Sequence, residues 1–126
     1  GLDYAHGTGH GVGYFLNVHE GPHGISKNNK VKFQEGMIVS NEPGYYEKNN
    51  FGIRIENLIY VKKHKKKNMF ENLTMAPIDK ELINKEMLNN DEREWINRYH
   101  NKVYNNLKGL MIKNEILDLK DACSII

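Results

Sequence analysis

Four histidines stand close together near the start of this sequence, at positions 6, 10, 19 and 23, and three of them adjoin a glycine. Imidazole is the commonest protein ligand for transition-metal ions and a proton donor near neutral pH. His6 and His10 have the spacing of the ligands in the zinc-protease motif His-Glu-x-x-His, but Gly-Thr-Gly lies between them. Without the glutamate, that interpretation fails. The histidines therefore indicate either a metal site of another kind or a loop of hydrogen-bonding side chains.

Two carboxylates further along the chain add to this chemistry. Glu42 follows a short β-prone run in the string Ser40-Asn41-Glu42-Pro43-Gly44. Glu56 lies in residues 51–61, where apolar and polar residues alternate as in a strand with two different faces. One face would carry Ile53, Ile55, Asn57 and Ile59, and the other Arg54, Glu56, Leu58 and Tyr60. A buried carboxylate needs a partner, so Glu56 is predicted at the rim of a buried polar site or in a surface ion pair with Arg54.

The elements that must hold these side chains are predicted to be extended. Glycines alternate with other residues at positions 7, 9, 11 and 13, and each would cost close to ~1 kcal/mol in a helix relative to alanine. They favour extended or looping backbone over residues 1–25, with close approach or positive φ at some of them. The other predictions for this region are a polar loop at 26–35, a short strand at 36–40 broken by Pro43-Gly44, and a strand at 70–78 ended by Pro77.

The last third of the chain has the pattern of amphipathic helices. In residues 91–108, Trp95, Tyr99, Val103 and Leu107 recur every fourth position, and Ile96 widens the apolar stripe. Asn90 or Asp91 is placed to cap this helix, and Gly109 to end it. A second segment, residues 111–122, carries Ile112, Ile116 and Leu119 on one face. Because strands come first and helices follow, the predicted fold class is α+β.

Composition excludes several classes of function. The 126 residues carry a net charge of only +2, and the lysine run at 62–67 is predicted to be a solvated loop, so no nucleic-acid partner is expected. No stretch has the ~20 apolar residues of a membrane span. Cys123 is the only cysteine, which rules out an internal disulfide and favours a reducing compartment. Because the sequence opens inside a motif and without methionine, we expect it to be a fragment.

Two strings resemble the X-Pro aminopeptidase (aminopeptidase P) family of the eukaryotic cytosolic type. They are His6-Gly-Thr-Gly-His10-Gly-Val-Gly with Leu16-Asn17-Val18-His19-Glu20-Gly21-Pro22, and Asn41-Glu42-Pro43-Gly44-Tyr45-Tyr46 with Gly52-Ile53-Arg54-Ile55-Glu56-Asn57. Residues 73–78 and 95–100 are similar to the family's C-terminal segment. The resemblance implies the C-terminal portion of a pita-bread (creatinase/aminopeptidase) fold, with antiparallel strands followed by C-terminal helices. It also implies a division into residues 1–61, part of the catalytic domain, and residues 62–126, an extension packed on that domain.

The same resemblance implies a pair of divalent metal ions, usually Mn²⁺. Their ligands in the family are two aspartates, one histidine and two glutamates. The histidine falls on His10 and the glutamates on Glu42 and Glu56, with Glu56 bridging both metals. The family pattern places both aspartates upstream of this chain, and Asp3 occupies neither position. Three ligands of five should bind metal weakly, so we expect residues 1–126 alone to be inactive.

Catalytic and substrate-binding roles are implied for four more positions. Glu42 would also be the general base, and His19 would hydrogen-bond the scissile carbonyl. His6 would line the pocket for the proline ring, and Tyr46 and Arg54 would support the site, with Arg54 fixing Glu56. The expected activity is release of an N-terminal residue that stands before proline.

The resemblance also bears on partners and on alternatives. It implies peptide substrates with proline in second position, a homodimer of the full-length enzyme and a cytoplasmic location. The alternatives are a proline dipeptidase, a methionine aminopeptidase, or a catalytically dead protein of the same fold that serves as a binding module.

Overall fold

Antiparallel strand pairs build the first part of the chain. In the computed structural model, which describes residues 2–15 and 17–126, a first compact unit comprises Gly1–Thr74. A central sheet has the order β3, β6, β7, and two short hairpin-like pairs, β1 with β2 and β4 with β5, accompany it. The strands are β1 (Gly9–His10), β2 (Gly24–Ile25), β3 (Ile38–Asn41), β4 (Gly44–Tyr46), β5 (Gly52–Arg54), β6 (Asn57–His64) and β7 (Lys67–Asn72).

The central sheet buries one face of β6. In the register of β3 with β6, Val39 lies opposite Ile59, and both side chains are buried. Val61, two residues further along β6, is also buried, so one face of the strand supplies the core of this unit. A bridge between Gly11 and Val39 joins the segment after β1 to the same sheet.

Residues 2–15 and 17–25 are extended or looping, as the glycine pattern predicts, and residues 26–35 contain no helix or strand. Gly1 and Leu16, which belong to the predicted extended segment and to the quoted motif, lie outside the described residues. The strand predicted at 36–40 begins at Ile38 and ends at Asn41. Glu35 and Gly36 instead form a turn, in which Gly36 has a φ of +87°.

The single strand predicted for residues 51–61 is wrong, because this segment is two strands with different partners. β5 pairs with β4, whereas β6 pairs with β3 and β7. Ile55 and Glu56 lie between the two strands and are exposed. The alternation of apolar and polar residues continues through this break, so it gave no sign of the change of partner.

The lysine run is also different from the prediction. Only Lys65 and Lys66 form a turn, and the lysines on either side belong to the hairpin of β6 and β7. All of them are exposed, as predicted. The strand predicted at 70–78 consequently begins earlier, at Lys67, and ends at Asn72.

A second compact unit comprises Met75–Ile126 and is built from helices. It contains α1 (Asn90–Leu107) and α2 (Lys113–Ala122), together with short 3₁₀ turns at Lys80–Leu82, Lys85–Met87 and Lys108–Leu110. The cap of α1 is Asn89, not Asn90 or Asp91, and it forms a reciprocal capping box with Glu92. Gly109 lies within the last 3₁₀ turn, so it does not end α1 with a left-handed residue.

The apolar stripe of α1 forms the core of the second unit. Tyr99 and Val103 pack with Leu119 of α2, and the Tyr99 hydroxyl donates to the Ala76 carbonyl at 2.8 Å. His100 is fully buried and accepts a hydrogen bond from the Ile78 N–H at 3.1 Å. Burial lowers the pKa of His100, and nearby Lys80 lowers it further, so the ring is held in its neutral form.

Strands followed by helices confirm the α+β class. The two compact units divide after Thr74, whereas the domain boundary predicted between residues 61 and 62 lies within β6. As a boundary between a catalytic domain and an extension, it stays a prediction. No helix among residues 2–15 and 17–126 combines the length and the apolar character needed to span a bilayer.

Two leucines of α2 test this core. Leu119 is 5% exposed and Leu117 is 60% exposed. We expect Leu119→Ala to lower the free energy of unfolding by about 2–5 kcal/mol, because it removes buried methyl groups and leaves a cavity. Leu117→Ala on the same helix is the matched control and should change it by no more than about 0.5 kcal/mol. Equal losses in urea unfolding would mean that the core is placed on the wrong face of α2.

Candidate functional site

The structure brings His10 and Glu42 together from two different strands. His10 is the last residue of β1, and Glu42 directly follows the end of β3. The Glu42 N–H donates to the Thr8 carbonyl at 2.7 Å, which fixes the end of β3 beside β1. As a result, His10 Nε2 lies 3.2 Å from Glu42 Oε1.

A glycine makes this close approach possible. A Cβ atom added to Gly9 would lie 1.9 Å from the Ser40 carbonyl oxygen, which is part of the backbone of β3. No side chain at position 9 could be accommodated without moving one strand. Gly9 and Gly11 thus serve close backbone approach, as the sequence predicts, and none of the four alternating glycines has a positive φ.

The Glu42 carboxylate is only 7% exposed and is surrounded by donors. The Ser40 hydroxyl donates to Oε1 at 2.8 Å, and Arg54 Nη1 donates to Oε2 at 2.9 Å. His10 Nε2 faces Oε1 from the other side. A carboxylate buried to this extent is costly unless it is paired, and here each oxygen has at least one partner.

The hydrogen bonds of His10 leave Nε2 as the nitrogen available to a metal. His10 Nδ1 lies 3.0 Å from the Gly11 carbonyl oxygen. Because a carbonyl only accepts, Nδ1 carries a hydrogen and donates it. A backbone or carboxylate acceptor at the far nitrogen is the usual way in which a protein orients a metal-binding imidazole.

The donor geometry fits part of a metal site. Two donors bound side by side to one octahedral ion, with bonds of about 2.1 Å, lie about 3 Å apart. The separation of 3.2 Å between His10 Nε2 and Glu42 Oε1 is close to this value. One imidazole nitrogen and one carboxylate oxygen suit ions such as Mn²⁺ or Zn²⁺.

His6, Tyr46 and Arg54 form a hydrogen-bonded chain beside this pair. Arg54 Nε donates to the Tyr46 hydroxyl oxygen at 2.6 Å, and His6 Nε2 lies 2.6 Å from the same oxygen. His6 Nδ1 lies 2.7 Å from the Gly7 carbonyl and donates to it. The Tyr46 hydroxyl therefore accepts from Arg54 and donates to His6 Nε2, which fixes the orientation of both rings.

Arg54 joins the two glutamates of the predicted site electrostatically. The hydrogen bond with Tyr46 raises the pKa of Arg54, and the carboxylates of Glu42 and Glu56 add to this rise while desolvation opposes it. The carboxylate that Arg54 hydrogen-bonds is Glu42. The described interaction of Arg54 with Glu56 is electrostatic, so the expectation that Arg54 fixes Glu56 stays a prediction.

His19 completes the side of the site that faces solvent. Its ring centroid lies 4.1 Å from that of His10, at an interplanar angle of 37°. The Glu20 N–H donates to the Gly11 carbonyl at 2.9 Å, so the loop returns to β1 at this point. A pocket of about 300 Å³ is lined by His6, Gly7, Gly9, His10, His19, Glu42 and Arg54.

A second pocket adjoins the first on the side of the tyrosines. It measures about 490 Å³ and is lined by Asp3, Tyr4, Ala5, His6, Tyr46 and Arg54. The His6 ring lies between two aromatic rings, 4.7 Å from Tyr4 and 5.4 Å from Tyr46 by centroid distance. The His6 ring is tilted by 35° to Tyr4 and meets Tyr46 edge to face at 83°, so three aromatic rings line one side of this pocket.

The structure therefore gathers most, but not all, of the residues predicted from the sequence. His6, His10, His19, Glu42, Tyr46 and Arg54 line the two pockets. Glu56 is exposed between β5 and β6, and its one described interaction is electrostatic, with Arg54. Within residues 2–15 and 17–126, no three His, Cys, Asp or Glu side chains form a group that could hold a metal ion by themselves.

Sequence reasoning missed Ser40 and left His23 unassigned. In the sequence, Ser40 is only one residue of the string that contains Glu42. Its spacing of two residues from Glu42 on a β-prone run is the one sign that both side chains lie on the same strand face. His23 Nε2 donates to the Ile38 carbonyl at 2.7 Å, so this histidine ties the segment after β2 to β3. It does not line either pocket.

Two family models match the chain. The family model of Metallopeptidase family M24 matches residues 1–63, and a model of the C-terminal region of the same peptidase matches residues 68–126. The chain is 48% identical over 122 residues to a probable Xaa-Pro aminopeptidase P from Laccaria bicolor, covering 88% of this chain and 19% of that protein. It is 51% identical over 122 residues to Xaa-Pro aminopeptidase 1 from Dictyostelium discoideum, covering 90% and 20%.

A solved structure is similar over the whole chain. It is an X-prolyl aminopeptidase from Caenorhabditis elegans, described as a cytosolic enzyme with a di-nuclear active site. The TM-score is 0.86 at 37% sequence identity, and the match covers 100% of this chain and 22% of that one. The chain thus spans about a fifth of the length of these relatives.

Substitution of Gly9 tests the close approach of β1 to β3. We expect Gly9→Ala to lower the free energy of unfolding by about 3 kcal/mol, because the new methyl group overlaps the Ser40 carbonyl and must separate the strands. Gly7→Ala is the matched control, since its Cβ would meet nothing closer than 3.7 Å. Thermal unfolding of both variants decides the matter, and a fully stable Gly9→Ala protein would contradict the placement of β1.

Proposed function

The chain belongs to Metallopeptidase family M24, and on that premise we propose that it forms the C-terminal part of a dinuclear-metal aminopeptidase. The proposed reaction is release of the N-terminal residue from peptides with proline in second position. The similarity to Xaa-Pro aminopeptidases over most of the chain supports this activity. The observation that carries the proposal is the contact of His10 Nε2 with Glu42 Oε1, at the floor of a pocket that His6 and His19 also line.

His10, Glu42 and Glu56 are proposed as the metal ligands of this chain. His10 offers Nε2, and Glu42 offers the oxygen that faces it. A bound metal pair supplies an activated water and polarises the substrate carbonyl. The remaining ligands are proposed to come from the rest of the protein, and the di-nuclear site of the C. elegans enzyme supports two ions. Manganese is the metal that we propose.

Glu42 is proposed to accept a proton at the scissile bond, and His19 to stabilise negative charge there. Glu42 has a fixed orientation, because Arg54 holds one oxygen and Ser40 the other, and it would accept a proton from the attacking water. His19 is exposed beside His10, where a ring N–H can reach a substrate carbonyl. A hydrogen bond to that oxygen would stabilise the negative charge that develops on it.

The pocket beside His6 is proposed to select proline. The rings of Tyr4, His6 and Tyr46 form an aromatic wall against which a five-membered ring can pack. Proline has no N–H and a fixed φ, so a site that makes no hydrogen bond to this nitrogen accepts it without penalty. Arg54 and Tyr46 hold His6 in place through the hydrogen bonds described above.

We also propose a homodimeric, cytoplasmic full-length enzyme. The C. elegans enzyme is described as cytosolic, which supports the location. Light scattering of the full-length protein measures the mass directly, and a monomeric mass would contradict the dimer.

A substrate panel tests the activity. We expect the full-length protein to release arginine from Arg-Pro-Pro when Mn²⁺ is present, and to lose this activity after treatment with a chelator. Residues 1–126 alone should be inactive, because they supply only part of the ligand set. Cleavage of Gly-Pro alone would favour a proline dipeptidase, and cleavage of Met-Ala would favour a methionine aminopeptidase. A metal-loaded protein that cleaves none of these peptides would favour a binding module.

Ligand substitutions test the assignment of the site. In the full-length protein, His10→Ala and Glu56→Gln should each lower kcat/KM by a factor of about 10³ or more, and should reduce metal content measured by atomic emission. His64→Ala is the matched control, because His64 is an exposed histidine at the end of β6 and lines neither pocket. His100 is unsuitable as a control, since it is fully buried. A loss of equal size in the His64 variant would mean that the site is assigned wrongly.

A further inference from the structure

Ser40 is fully buried at the centre of the site, and the proposed function uses it only as a hydrogen-bond partner of Glu42. It lies on β3, two residues before Glu42, so both side chains point to the same side of the strand. Its hydroxyl is 2.9 Å from the backbone nitrogen of His10 and 2.8 Å from Glu42 Oε1. One hydroxyl group thus contacts both residues of the His10–Glu42 pair.

The direction of these two hydrogen bonds follows from the groups involved. The N–H of His10 can only donate, so the Ser40 oxygen accepts from it. A serine hydroxyl has a single hydrogen, and a carboxylate accepts, so that hydrogen points to Glu42 Oε1. Neither bond can reverse. The hydroxyl therefore fixes both the position of the His10 backbone relative to β3 and the rotation of the Glu42 carboxylate.

We propose that Ser40 is a positioning residue, whose hydroxyl sets the relative placement of the imidazole of His10 and the carboxylate of Glu42 for binding metal. This inference rests on the proposed function, since it assigns Ser40 to the same site. Arg54 holds only Oε2. Without Ser40, Oε1 would keep His10 as its one described partner, and the carboxylate could rotate about the bond to Arg54.

Removing the Ser40 hydroxyl should change metal affinity through Glu42, in addition to any change in the stability of the fold. Groups that hydrogen-bond a metal ligand without touching the metal typically change metal affinity or activity about 10- to 100-fold when they are removed. A serine with a purely structural role would lower stability and leave the affinity of the folded protein unchanged. The two roles can therefore be separated by measuring both quantities.

The first experiment measures Mn²⁺ affinity of the full-length protein by competition with a fluorescent chelator. We expect Ser40→Ala to raise the dissociation constant about 10- to 100-fold, and Ser40→Thr to restore it to within about threefold, because threonine keeps the hydroxyl and suits a strand. Thr74→Val is the matched control. It removes a hydroxyl that accepts from the Leu58 N–H at 2.8 Å in the same unit, and it should leave the dissociation constant within about twofold.

The second experiment is a double-mutant cycle on the metal-free protein, measured by thermal unfolding. If Ser40 acts on Glu42, the loss of stability from Ser40→Ala should be smaller in the Glu42→Ala background than in the wild type. This measurement requires no metal and no activity. If the wild-type protein neither bound Mn²⁺ nor cleaved peptides, the proposed function would fail, while the cycle would still test the contact of Ser40 with Glu42.

Any of three results from folded variants would overturn the inference. The first is a folded Ser40→Ala variant that binds Mn²⁺ with the wild-type dissociation constant. The second is a Ser40→Thr variant that binds Mn²⁺ as weakly as the alanine variant. The third is a double-mutant cycle in which the losses of stability from the two substitutions simply add. If Ser40→Ala does not fold, Ser40→Cys replaces it, because a thiol is similar in size and a poor donor. Failure of both variants to fold while Thr74→Val folds would assign Ser40 to stability and would also overturn the inference.

Discussion

The buried carboxylate of Glu42 is the interaction on which the rest of the site depends. Removing a carboxylate from water costs several kcal/mol, and the cost is recovered only if its oxygens are well partnered. The partners here come from three strands, Ser40 on β3, His10 on β1 and Arg54 on β5. The position of each of these strands is therefore constrained by one charge. A site assembled in this way depends on precise backbone contacts as much as on side chains.

The need for close backbone contacts between β1 and β3 explains why glycine is frequent near the start of the sequence. β1 has only two residues, too short to be held by strand pairing alone. It gains further contacts because Gly9 lies directly against the Ser40 carbonyl and Glu42 donates its N–H to Thr8. Glycine is costly in conformational entropy, but here it allows His10 and Glu42 to approach within hydrogen-bonding distance. Gly9 and the proposed metal site thus depend on the same close approach of β1 to β3.

Features that depend on the local spacing of apolar residues could be predicted from the sequence. The periodic positions of Tyr99 and Val103 placed the core of α1 correctly, because helix faces follow directly from spacing. Motif resemblance likewise indicated the residues that line the pockets. The split of β5 from β6 and the hairpin in the lysine run were not predicted, since they depend on which strand each segment pairs with. Ser40 was missed because a serine in a strand carries no sign of what it will contact.

The ion pair of Arg54 with Glu42 affects how many further ligands the proposed metal site would need. By pairing with Glu42, Arg54 neutralises one of the two glutamates, and the second, Glu56, stays exposed outside both strands. Two carboxylates and one guanidinium leave a single net negative charge, which is too little to hold two divalent ions. On the proposed function, further anionic ligands would therefore come from outside these residues, and the chain spans about a fifth of the length of its relatives. On the proposed function, this chain thus supplies the orientation of the catalytic groups, and the rest of the enzyme supplies most of the charge.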